Sequence, residues 1–381
     1  MLRLYDTRRR RAVAFRPLGR VVTLYVCGVT PYDTTHLGHA RTFLVFDVLV
    51  RYLEALGHEV RYAQNVTDID ESILARATRD DLDWRELGRR EERAFLGDMR
   101  RLRWRRPDVM PHATREIPRM RELIGTLEAQ GAAYATARGV YFSVAADRRY
   151  GELSRLSRAR MARIARRQDG ASLDDPSRRD RLDFALWRRV ADGPTWPSPW
   201  GRGRAGWHIE CSAMSLRHLG PRIDLHGGGS DLVYPHHENE IAQTEAASGR
   251  RPFVGTWMHV APMLLRGAKM SKSDGNMVFV RDALDRASTP ALRLYLLDRR
   301  YRLPYDHDED ALARAGTRTQ VLADALGRGP AALTRNDATL ALDDELDTHE
   351  AIRALERRAR RPMTERARAS LRATARVLGV I

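Results

Sequence analysis

His36-Leu37-Gly38-His39 places two imidazoles three residues apart around a glycine. Imidazoles can donate hydrogen bonds to phosphate oxygens, and a glycine lets a nucleotide approach the backbone closely. The tetrapeptide falls where an apolar run turns into a helical pattern. A helix N-terminus offers backbone N–H groups and a positive dipole end to an anion. Some 230 residues later, Lys269-Met270-Ser271-Lys272-Ser273 precedes the turn signal Asp274-Gly275-Asn276. Ammonium groups on a loop suit the negative charge that builds on an α-phosphate and pyrophosphate when phosphorus is attacked. Alone, the first motif is a helix terminus and the second an exposed loop. Their order and spacing on an α/β pattern point to nucleotide chemistry.

A second constellation involves sulfur. The only cysteines are Cys27, just after the first apolar run, and Cys211, in Trp207-His208-Ile209-Glu210-Cys211. His236 and Glu240 stand at i, i+4 in Pro235-His236-His237-Glu238-Asn239-Glu240. Two thiolates, an imidazole and a carboxylate make a sound zinc set. Spacing alone leaves His237 as a rival to His236, and Glu238 as a rival to Glu240. Two inert buried thiols are the plainer alternative. The wide separation of the cysteines suits a site assembled across a sheet edge rather than a zinc ribbon.

Positioning these groups requires a parallel sheet. Residues 21–26 form a β-branched, apolar strand, residues 38–56 a helix stopped by Gly57, and residues 58–66 the next strand. Strand, helix, strand at this spacing is a βαβ unit. The polar residues Asp47, Arg51 and Glu54 fall at i, i+4, i+7, which predicts one narrow solvent face on that helix. Helices are expected over 83–106 and 114–130, and short strands such as 139–144 with prolines up to Pro199 mark an insertion. A strand over 222–226 resumes before Gly227-Gly228-Gly229, and a helix begins near Pro235. Helices dominate after Pro304, including 309–326 and 347–359. The expectation is a split nucleotide-binding domain followed by a short helical one.

The 381 residues are 43% hydrophobic and 30% charged, which argues against wholesale disorder. No apolar run is long enough for a membrane span. The start lacks an apolar signal region, so a cytoplasmic protein is expected. Net charge is +16. That favours an anionic partner such as RNA, although an arginine-rich proteome also produces basic proteins. Lys269 and Lys272 are the only lysines, and the other 64 basic residues are arginine. Two lysines within one pentapeptide mark a place where a compact ammonium is wanted.

Several runs carry a specific resemblance: Tyr25-Val26-Cys27-Gly28, Asn65-Val66-Thr67-Asp68, Gly206 to Met214, Gly227 to Asp231, and Pro235 to Glu240. With the two motifs, they resemble the cysteinyl-tRNA synthetase family of class I aminoacyl-tRNA synthetases, in a short form. They are also similar to its relative, the cysteine ligase of mycothiol biosynthesis. The likeness runs from Leu4 to about Leu342. It implies a Rossmann-like catalytic domain over 1–300, with an insertion at about 115–200 and a KMSKS region at about 262–300. A short helical bundle over 301–381 follows, its anticodon-binding region truncated. It implies Cys27, Cys211, His236 and Glu240 as ligands of one Zn2+ that takes the substrate thiolate. Thr67, Trp207 and Asp231 would surround L-cysteine. Gly28, Thr30, His36, Gly38, His39 and Lys272 would bind ATP with Mg2+, and His36, His39, Lys269 and Lys272 would serve the chemistry.

The implied reaction is ATP-dependent activation of cysteine and transfer to tRNA(Cys), by a monomer. The alternative acceptor is glucosaminyl-inositol, and a non-catalytic RNA- or cysteine-binding paralogue is a further alternative. The run Gly28-Val29-Thr30-Pro31-Tyr32-Asp33 and the end at Ile381 lean towards the mycothiol ligase. Glu240 leans towards the synthetase, because the mycothiol ligase tends to lack that carboxylate.

Overall fold

A computed structural model describes residues 1–33, 35–168, 175–270 and 275–381. Strands β1 (Arg3–Asp6) and β2 (Arg11–Ala14) form an antiparallel hairpin, unforeseen because each strand has only four residues. Then come β3 (Val21–Val29), α1 (Leu37–Ala55) and β4 (Glu59–Val66), with β3 and β4 parallel, as the expected βαβ unit. Helices α2 (Glu71–Arg79), α3 (Trp84–Arg101) and α4 (Ala113–Ala129) follow. Helix α3 stops short of residue 106, where Arg103 turns left-handed at φ 54°.

Helix α1 is apolar almost all round and correspondingly buried. Its expected solvent face is wrong at Asp47. That carboxylate is fully buried and ion-paired with the equally buried Arg293, and it also receives Arg51 Nε at 2.9 Å. A polar position at helical spacing here marks an internal ion pair rather than water.

The insertion is an antiparallel sheet in the order β5 (Ala133–Thr136), β6 (Gly139–Phe142), β7 (Phe184–Arg189), β8 (Gly203–Ala205). Helix α5 (Arg158–Gln168) lies between β6 and β7 in the chain. The apolar core of the insertion is continuous with α4, α6 (Trp207–Leu219) and the side of the parallel sheet that carries Tyr25 and Cys27.

The main sheet closes with β9 (Ile223–Gly229) and β10 (Val254–Val260), joined through α7 (Glu238–Ser248). The Gly227–Gly229 run belongs to β9 itself rather than to a following loop. Strand order is β10-β9-β3-β4, all parallel. The chain leaves β3 towards β4 on one side and returns to β9 on the other. The C-terminal edge between β3 and β9 is therefore a topological switch point, where open parallel sheets bind ligands. A register shift between Val26 and Val29 marks this end of β3. A Cβ at Gly28 would lie 1.8 Å from the Asn65 carbonyl oxygen, so only glycine fits there.

A small sheet of β11 (Met263–Leu265), β12 (Ala268–Lys269) and β13 (Tyr305–Asp306) flanks that edge, with α8 (Val280–Leu284) and α9 (Thr289–Leu297). Helices α10 (Glu309–Leu326), α11 (Asp337–Asp343), α12 (Thr348–Ala359) and α13 (Glu365–Leu378) end the chain and share one core with α1 and α9. Among the described residues no helix is long and apolar enough to cross a membrane.

Candidate active site and metal centre

One cavity at the switch point is lined by Cys27, Gly28, Thr30, His36, Gly38, His39, Trp207, Asp231 and Lys269. Residues distant in sequence thus converge as expected. His36 and His39 stack with ring centroids 3.8 Å apart. His36 Nδ1 also accepts from the Gly38 and His39 backbone N–H groups, at 3.1 and 3.3 Å. The expectation of free N–H groups at this helix start is corrected by that contact, because the imidazole caps its own helix.

The helix start that carries the first motif is tied by backbone to the segment that follows the second. Leu37 N–H donates to the Val278 carbonyl and Val280 N–H to the Thr35 carbonyl, each at 2.9 Å. On the other side of the loop, Met270 N–H donates to Met263 at 3.0 Å. Lys272 lies outside the described residues. Lys269 Nζ sits 2.8 Å from Asp231 Oδ2. Asp231, expected to border the substrate cysteine, thus already holds a protein ammonium.

Thr67 is buried and does not line the cavity. Asn65 explains its place: its Oδ1 accepts from Gly28 N–H at 2.9 Å and its Nδ2 donates to Thr67 Oγ1 at 3.1 Å. Trp207 opens α6 and stacks on His236 at 4.3 Å.

At the cavity base the two thiols meet. Cys27 Sγ lies 3.8 Å from Cys211 Sγ and 3.4 Å from Glu240 Oε1. His236 Nε2 lies 3.2 Å from the same carboxylate oxygen. One ligand atom from each of Cys27, Cys211, His236 and Glu240 falls within 4.8 Å of the others, all buried. Glu238 is no longer a rival, since its carboxylate accepts from the backbone of Leu153 and Ser154 at 3.2 and 2.8 Å. His237 remains close, with Nε2 3.2 Å from Cys27 Sγ. A second grouping, Cys27, His226, His237 and Glu240, meets the same distance limit.

Burial pushes both thiols above their usual range and holds His236 down to about 3. Burial also works against the Glu240 carboxylate, yet His226 and His236 beside it keep its pKa below the usual value. A cation reverses the penalty on the thiolates, so the donor set fits a metal centre.

Three histidines of this region escaped the sequence reading. His226 Nε2 meets Glu240 Oε2 at 2.9 Å, His208 Nδ1 meets His236 Nδ1 at 2.9 Å, and His259 Nε2 meets His237 Nδ1 at 2.7 Å. His226 directly precedes the glycine run, and that was the available signal.

The profile of tRNA synthetases class I (C) catalytic domain matches residues 15–317. A cysteine–tRNA ligase of Thermococcus kodakarensis is 45% identical over 313 residues, 82% of this chain and 64% of that protein. The L-cysteine:1D-myo-inositol 2-amino-2-deoxy-alpha-D-glucopyranoside ligase of Tsukamurella paurometabola is 44% identical over 376 residues, 95% of this chain and 89% of that one. Mycobacterium tuberculosis methionyl-tRNA synthetase, solved with methionyl-adenylate, superposes with a TM-score of 0.67 at 17% identity. It covers 94% of this chain and 89% of its own, and shares the fold. Matched to that profile over most of its length, the chain belongs to the cysteine-type branch of the class I tRNA synthetases.

Proposed function

We propose that this protein activates L-cysteine with ATP and transfers it to tRNA(Cys). One observation carries the reading: a single cavity joins a buried Cys27 to His36, His39 and Lys269. A thiol-selective floor and a phosphate-binding wall are what cysteine activation needs. A cysteine carboxylate oxygen attacks the ATP α-phosphorus, the bond to the β-phosphate oxygen breaks, and pyrophosphate leaves. The acceptor hydroxyl then attacks the carboxyl carbon and AMP departs. No enzyme nucleophile is required, because positioning and charge stabilisation supply the rate.

His36 and His39 hold the phosphates, Lys269 and Lys272 neutralise the charge that builds there, and Mg2+ brought with ATP would share that charge. Asp231 takes the substrate ammonium once Lys269 has left it. Trp207 walls the pocket, and Thr67 supports it from beneath through Asn65. Cys27, Cys211, His236 and Glu240 would hold zinc, whose contribution is an anchor for a thiolate that a serine hydroxyl cannot match. Size alone separates cysteine from serine poorly.

A second reading has its own support. The chain spans 64% of the Thermococcus ligase but 89% of the Tsukamurella one. Cysteine joined as an amide to the sugar amine is therefore the rival outcome. Glu240 inside the ligand cluster favours the tRNA ligase. ATP-dependent cysteine transfer to bulk tRNA and to glucosaminyl-inositol, run side by side, decides between them. Charging of tRNA is expected, and amide formation on the sugar alone would overturn that acceptor.

A further inference from the structure

The first turns of α6 carry three residues that bear on the site. Trp207 walls the cavity and Cys211 belongs to the metal centre, while Glu210 lines neither. Glu210 is 4% exposed, and its Oε2 has no hydrogen-bond partner among the described residues. Asp68 and Asp70 are near enough to repel its charge. A buried carboxyl in such company weakens a fold, so a position that only filled space would be served better by an apolar side chain.

What this carboxyl does reach is Thr67. The Gly28 N–H can only donate, so the Asn65 atom that meets it at 2.9 Å is the carbonyl oxygen Oδ1. The Asn65 amide nitrogen is thereby turned to Thr67 Oγ1, to which it donates at 3.1 Å. That leaves the Thr67 hydroxyl proton for another acceptor, and the Glu210 carboxyl is hydrogen-bonded with this side chain. The donors all point one way, from Gly28 through Asn65 and Thr67 to Glu210. Bonds in such a relay polarise one another. Its near end is the Gly28 peptide, which lines the cavity directly after Cys27. Thr67 N–H also donates to the Val29 carbonyl at 3.0 Å, which ties the middle of the relay to the same strand end.

We infer that Glu210 is a positioning residue for the substrate cysteine: as terminal acceptor of the relay it fixes Thr67 and Asn65, and through them the Cys27–Gly28 floor. The inference rests on the proposed activation of cysteine, which both acceptor readings share. Glu210 touches no reacting atom. His36 and His39 are held by α1 and not by the relay, so loss of Glu210 is felt by cysteine far more than by ATP.

The test is cysteine-dependent pyrophosphate exchange by wild type, Glu210→Ala, Glu210→Gln, Thr67→Val and the double variant Thr67→Val/Glu210→Ala, with cysteine and ATP varied in turn. Glu210→Ala should raise KM for cysteine by about tenfold, as a buried hydroxyl left without its acceptor implies, with KM for ATP within about twofold of wild type. Glu210→Gln keeps a carbonyl acceptor of the same shape and should stay within about threefold of wild type. Thr67→Val cuts the relay one link earlier, so the double variant should match Thr67→Val within about twofold. Losses that multiply in the double variant would overturn the relay, and so would a glutamine variant as weak as the alanine one. KM values for cysteine and ATP raised alike in Glu210→Ala would mark general damage and overturn it too. A wild-type KM for cysteine in Thr67→Val overturns it even where Glu210→Ala does not fold. A wild-type enzyme with no cysteine-dependent exchange refutes cysteine activation itself, and the role of Glu210 falls with it.

Discussion

Burial makes Cys27 and Cys211 poor thiolates unless a cation lies beside them. A serine at 211 keeps the shape and removes a strong metal ligand. Cys211→Ser should therefore lower bound zinc and selectivity for cysteine over serine together, read by metal analysis and by pyrophosphate exchange with each amino acid. Zinc content equal to wild type would remove Cys211 from the ligand set. The Lys269–Asp231 pair sets a second expectation. In the proposed reading the substrate ammonium takes the place of Lys269 on this carboxylate. Asp231→Asn should raise KM for cysteine roughly ten- to hundredfold, as loss of a charge-assisted hydrogen bond of about 1.5–3 kcal/mol implies. KM for ATP should move much less, because Lys269 is then released towards the phosphates. Exchange kinetics with each substrate varied in turn separate the two.

The elements that carry the site depend on a join between α1 and α9. Arg293 is fully buried and donates to Asp47 of α1, and at 2.9 Å each to the carbonyls of Leu102 and Leu378. Asp47→Ala would leave that guanidinium buried without its counter-charge, costing about 3–5 kcal/mol. Denaturant unfolding should show the loss, and a variant within about 0.5 kcal/mol of wild type would mean that water enters the gap. This join is also where the sequence misled. Asp47 sits at helical spacing with Arg51 and Glu54, and nothing local reveals that Arg293 comes to meet it from 246 positions away. By contrast, β3, α1 and β4 were legible because each buries a long apolar run. That Cys27 and Cys211 would come together near His236 and Glu240 was legible from the scarcity of cysteine and from the family resemblance, while spacing alone did not separate His236 from His237. His226 and His259 were not, since a lone histidine on a strand carries no periodic signal, and His208 on α6 was masked by the motif around Cys211. The β1–β2 hairpin was hidden by its brevity and by the arginines at its turn.

At the scale of the whole molecule, the arginines behind the +16 charge fall into three populations: buried, ion-paired and exposed. Arg41, Arg293 and Arg372 are fully buried and spend their donors largely on backbone carbonyls. Such arginines tie elements together and offer nothing to a partner. Arg41 is one example: it links α1 to Ala261, Arg300 and Leu303, beside the strand that leads to Lys269. Others, such as Arg318 between Asp298 and Glu356, are neutralised where they stand. Neither of these populations predicts RNA binding. The exposed arginines are the ones that the proposed transfer to tRNA would use. A polyanion neutralising several exposed guanidiniums releases its counterions, with a slope near −0.7 to −0.9 per phosphate contact in log affinity against log salt. Between about 50 and 200 mM salt, KM for tRNA should therefore rise steeply, by one to several powers of ten for about three or more contacts. KM for cysteine and ATP, set inside the cavity, should shift far less over the same range. Steady-state charging across that series gives both numbers from one preparation. A flat KM for tRNA would mean that the surface arginines are compositional drift and that the acceptor carries little charge, which is the behaviour of an amino sugar.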